Sequence, residues 1–97
     1  MNATKIQKAQ GTRAERKARG EPPWNVVLHN SWHRMSWVVY AVVRAIPGTS
    51  VKGAASVMWE AHTKGRAVAK SCHKELAELY EERLRAKGLT VSTEPVA

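Results

Sequence analysis

Near the centre of this 97-residue chain His62 follows Met58 and Ala61 and precedes Gly65-Arg66-Ala67-Val68. Spacings of three and four put Met58, Ala61 and His62 on one side of a helix, which Gly65 then ends. A histidine held at a helix end beside small and flexible apolar residues suits a pocket. Such a pocket takes an apolar side chain and offers one polar acceptor at its rim. The residues suit binding better than catalysis. Cys72 and His73 are sequence neighbours, so their side chains diverge, and no third group completes a nucleophilic site. His29, His33 and His62 have no metal-ligand spacing signature. No catalytic residue, metal or cofactor is expected.

Composition sets the frame. The length allows one small domain with a modest core. Hydrophobic residues make up 43% of the chain, too many for a disordered polymer. The single cysteine, Cys72, excludes an internal disulfide and points to a reducing compartment. The basic N-terminus is not followed by an apolar stretch of the secretory type, and no apolar run is long enough to span a membrane. A cytoplasmic protein is expected. The net charge of +8 is uneven. Residues 1–20 carry six basic side chains against Glu15, or +5, while residues 21–97 carry ten basic and seven acidic, or +3. A basic arm over residues 1–21 suits a solvated tail, with contact to an acidic partner or nucleic acid as the alternative.

Residues 1–20 are polar and read as disordered or weakly helical. Pro22-Pro23 ends that arm. Trp24 to His29 reads as a strand and Asn30 to Arg34 as a polar loop. Ser36 can cap a helix from about Trp37 to Ile46, stopped by Pro47-Gly48. Thr49-Ser50 opens a second helix with Val51, Ala54, Ala55, Met58, Ala61 and His62 on one stripe. Arg66 to Ser71 reads as a strand. A third helix, about His73 to Lys87, has Leu76, Leu79, Tyr80 and Leu84 as its apolar face and Gly88 as its left-handed cap. Leu89 to Thr93 alternates and reads as an edge strand. The order β-α-α-β-α-β predicts an α+β fold: a three-stranded sheet with helices on one face, spanning residues 22–97.

Several pieces in this order resemble the ClpS family, adaptors of the ATP-dependent Clp protease. They are Pro23-Trp24, Val26-Val27-Leu28, Asn30, Met35-Ser36-Trp37-Val38, Met58-Trp59-Glu60-Ala61-His62, Gly65-Arg66-Ala67-Val68, Glu75, Ala77-Glu78 and Gly88-Leu89. Together they cover about residues 22–94 and are similar to the actinobacterial branch. The resemblance implies a fold shared with the C-terminal domain of a ribosomal stalk protein. It implies a non-enzymatic receptor for proteins with a bulky hydrophobic N-terminal residue (an N-degron: Leu, Phe, Tyr or Trp). The receptor passes them to a Clp unfoldase of the AAA+ class, of ClpA or ClpC type, and its N-terminal arm takes part in that transfer. A monomer that works away from membranes is expected.

By the same resemblance Asn30 and His62 form the polar rim, and Met35, Val38, Met58, Ala61 and Leu89 line the cavity. Methionine adapts to differently shaped side chains, which fits a pocket that takes four of them. Glu75 and Tyr80 fall on the surface facing the unfoldase. The chain departs from the family in the loop. Ser31 stands where the main carboxylate is expected, the chain contains no Asp, and Arg34 adds a repelling charge. Anchoring on Pro23-Trp24 matches Asn30 to the family Asn; anchoring on Met35 puts His29 there instead. Tyr80 replaces a family lysine.

Each residue also has a plainer reading. Met58 and Ala61 fit an ordinary core stripe. Met35 can be a hydrophobic staple packed on Tyr40. His62 can be a helix-end histidine favoured by the dipole, and Asn30 a turn residue. Two other functions compete with cargo recognition. One is a ClpS-like protein with a degenerate pocket that docks on the unfoldase as a modulator or inhibitor. The other is a nucleic-acid binder, disfavoured because the arm has no interleaved aromatics for base stacking.

Overall fold

The computed structural model describes residues 22–96. The basic arm expected over residues 1–21 lies outside the described residues. The element order is β1 (Trp24–His29), α1 (Met35–Ala45), α2 (Val51–Lys64), β2 (Arg66–Cys72), α3 (Lys74–Ala86) and β3 (Val91–Pro95). This is the β-α-α-β-α-β order read from the sequence.

The β-branched run Val26-Val27 makes β1 the natural centre of the sheet. The strand order is β2-β1-β3, with β1 antiparallel to both neighbours. Val26 and Leu28 face the helices. They share one buried cluster with Val38, Ala41, Val42 and Ala45 of α1, Ala54 and Ala61 of α2, and Ala77, Tyr80 and Leu84 of α3. All three helices therefore cover one face. Asn25, Val27 and His29 point to the other face by strand alternation. There His29 Nε2 lies 2.7 Å from Ser92 Oγ.

The helix boundaries follow capping chemistry with one exception. Ser50 caps α2, its hydroxyl accepting from the Gly53 amide. Gly65 ends α2 in the left-handed region at φ 91°. His73 caps α3, with Nδ1 accepting from the Leu76 amide at 3.4 Å. The exception is α1. It begins at Met35, before the expected Ser36 cap, and its N-cap residue Arg34 makes no side-chain capping bond. Strand β3 also starts two residues later than expected, at Val91. Leu89 is occupied instead in closing α3, its amide donating to Leu84 O at 3.2 Å.

Candidate functional site

The C-terminal half of α2 and the start of α1 converge beside the loop that follows β1. Between them lies a shallow cleft open to solvent. Its apolar wall is Leu28 from β1, Met35 and Val38 from α1, and Met58 and Ala61 from α2. Its polar residues are His29, Asn30, Ser31, His33 and His62. None of these lining residues carries a carboxylate.

Local structure explains each placement. Met58, Ala61 and His62 fall on one helical stripe, so the turn before Gly65 presents a methionine, a small residue and an imidazole to the same space. Ala61 is buried, Met58 is half-buried against the core, and His62 is exposed at the mouth. The His62 ring lies 5.8 Å from the Trp59 ring, tilted by 37°. Asn30 is fixed by its backbone, its amide donating to Gly65 O at 3.1 Å. This bond joins the loop directly to the end of α2. Met35 opens α1 and is 40% exposed, as a residue at the cleft mouth should be, while Val38 lies at its floor.

Seven of the eight residues expected at the cargo site therefore line one cleft: Asn30, Ser31, Met35, Val38, Met58, Ala61 and His62. Leu89 does not line it. It is buried in the core, where its role in closing α3 places it. Leu28, His29 and His33 also line the cleft; none was among the expected cargo-site residues, although His29 was the alternative to Asn30 in the second register. From sequence Leu28 reads as a strand residue and His33 as a polar loop residue, and neither reading places it in the cleft. Their position follows from long-range pairing: the His29 amide donates to Thr90 O at 2.9 Å, and His33 reaches the turn after α3.

The two residues expected to face the unfoldase separate. Glu75 is exposed in the first turn of α3, 3.7 Å from His73 Nδ1. Tyr80 is buried in the core with Leu84 and Ala77, so it is not available as a surface contact. Its position on the apolar stripe of α3 overrides the surface role. Among the described residues no group of three or more His, Cys, Asp or Glu side chains is placed to hold a metal ion. Among them, too, no helix is long and apolar enough to cross a membrane.

The fold is a small antiparallel sheet covered by three helices, with an apolar cleft and polar rim at one end, an arrangement suited to binding. Comparison with known proteins agrees. The family of the ATP-dependent Clp protease adaptor protein ClpS matches over residues 19–92. The ClpS adapter protein of Synechococcus elongatus is 35% identical over 96 residues, covering 98% of each chain. The chloroplastic adapter CLPS1 of Arabidopsis thaliana is 40% identical over 75 residues, spanning 76% of this chain and 47% of the longer relative. An Agrobacterium tumefaciens ClpS2, solved with L-phenylalaninamide bound, has the same fold with a TM-score of 0.72 at 24% identity, covering 77% of this chain and 98% of that one. The chain belongs to the ClpS family of Clp protease adaptors. These relatives in sequence are cyanobacterial and chloroplastic, which supports the family and not the actinobacterial branch in particular.

Proposed function

We propose that this adaptor selects cargo by its N-terminal residue, using the cleft between α1 and α2. The observation that carries the reading is the convergence of Met35, Val38, Met58 and Ala61 with the polar rim of Asn30, Ser31 and His62. An N-terminal residue differs from an internal one by its free ammonium, a group that only donates hydrogen bonds. Reading it requires acceptors beside an apolar cavity. The Asn30 carbonyl, the Ser31 hydroxyl and a neutral His62 imidazole are such acceptors, and the apolar wall receives a Leu, Phe, Tyr or Trp side chain. The Agrobacterium relative with its bound phenylalanine amide supports the choice of ligand.

In this reading the chain is a binding protein with no chemistry of its own. It works as a monomer in the cytoplasm and hands cargo to a ClpA- or ClpC-type unfoldase through Glu75 and the basic residues 1–21. The cleft lacks a carboxylate, which favours one alternative: docking on the unfoldase with weak or altered cargo choice. The deciding experiment is a titration with a peptide bearing a free N-terminal Leu and with its acetylated twin. Selective binding of the free peptide is expected. Equal affinity for the two excludes amine recognition and leaves the alternative.

A further inference from the structure

The loop over residues 30–34 is tied down at both ends. At its start the Asn30 amide is bonded to Gly65 O. At its other end His33 Nε2 lies 2.6 Å from Gly88 O, in the turn after α3. One helical turn further on, Trp37 Nε1 donates to the adjacent carbonyl, Lys87 O, at 3.0 Å. A carbonyl oxygen only accepts, so His33 must carry its proton on Nε2.

The turn is shaped to receive this ring. Gly88 sits at φ +87°, and a Cβ there would lie 3.1 Å from His33 Nε2 and 3.2 Å from Cε1. Glycine therefore serves both the left-handed backbone and the close approach of the imidazole. Burial does not hold the loop. Asn30, Trp32, His33 and Arg34 are exposed, and Ser31 is only partly covered. An exposed segment keeps its shape through its few specific bonds.

We propose that His33 is a positioning residue for the amine-reading rim. Its bond to Gly88 O holds Asn30 and Ser31 in the arrangement that faces His62. The inference rests on the N-terminus-binding reading of the cleft. His33 also lines the cleft, and with Nε2 committed to Gly88 O its unprotonated Nδ1 keeps a lone pair, so the test must separate positioning from direct contact with the ammonium.

The test compares wild type with His33→Ala and His33→Gln, the latter supplying an N–H donor of similar reach. The readouts are affinity for the free and acetylated Leu peptides, and amide hydrogen exchange across residues 31–34. In His33→Ala, affinity for the free peptide should fall roughly tenfold, the scale of one lost hydrogen bond, with binding of the acetylated twin unchanged. Exchange in the loop should quicken, and the thermal midpoint should stay near that of wild type. His33→Gln should recover most of both losses. Wild-type affinity in His33→Ala overturns the proposal whatever the loop does. So does a loss that Gln fails to recover, which would make the imidazole itself a contact. If wild type does not separate the two peptides, the cleft reading fails on its own. Loop exchange then decides the anchoring role: unchanged exchange in His33→Ala removes it, and quickening reversed by Gln supports it.

Discussion

The Arg66 guanidinium and the Glu94 carboxylate meet at 2.6 Å across the full width of the sheet, joining β2 to β3 over the central strand. Arg66 stands opposite His29 and Glu94 opposite Asn25, so the pair crosses the face where Val27 lies. Val27 is fully buried although all three helices pack on the opposite face. Both charged side chains remain about half exposed. Solvent screening therefore keeps the coupling small, and a double-mutant cycle of Arg66→Ala and Glu94→Ala in urea unfolding should give about 0.5–1 kcal/mol. The coupling should shrink with added salt.

Much of this architecture is legible in the residues, and the misses share one cause. Strand β1, the opening of α2 at Thr49-Ser50 and the Gly65 and Gly88 stops are written in local chemistry, and they stand where they were expected. Ser36 is an equally good local cap, yet α1 starts earlier. Its first turn is placed by ties to the distant Lys87-Gly88 turn, which no local pattern announces. Leu89 has the alternation of a strand residue but closes a helix. Tyr80 was readable as core from its stripe and as surface from family position, and packing chose the stripe. In the cleft, the residues on α2 were legible from their spacing, whereas His33 and Leu28 enter it only through tertiary pairing.

Restoring a carboxylate should strengthen cargo binding. Ser31 lines the rim, and a charged hydrogen bond contributes about 1.5–3 kcal/mol, so Ser31→Asp should tighten binding of a free N-terminal Leu peptide roughly ten- to a hundredfold. His62→Ala should weaken the same binding without unfolding the protein, because His62 is exposed. Calorimetric titration of the two variants, with a thermal melt of each, checks both. No gain from Ser31→Asp would favour the register that puts His29 at the family Asn position, or a degenerate pocket.

Met35 should act as a gate. It stands half exposed in the cleft lining, and the family resemblance implies that it crowds a branched Cβ at the mouth. Peptides beginning with Ile should bind several-fold more weakly than those beginning with Leu, by roughly the 1 kcal/mol scale of overpacking. Met35→Ala should narrow that gap. Competition between the two peptides measures it, and a wild type indifferent to branching would make Met35 a packing residue only.

Along α3 the two candidate docking residues should behave in opposite ways. Tyr80→Ala empties a buried site and should lower stability by about 3 kcal/mol or more, seen as a shifted urea midpoint. Glu75→Ala should leave that midpoint within about 0.5 kcal/mol, as surface changes do, while reducing capture by the unfoldase. Wild-type capture by Glu75→Ala would move the docking surface off this part of α3.

The sheet's outer edges bear on the company such a protein keeps. On β2 the register shifts so that Ala69 is left without a partner between Lys70 and Val68, and β3 ends at Pro95, whose nitrogen has no proton to donate. A straight, fully equipped edge would invite any extended polypeptide to add itself as a fourth strand. An adaptor of a protease works where such chains are plentiful. With one edge kinked and the other cut short, it can stand beside unravelling proteins without being recruited into their aggregates.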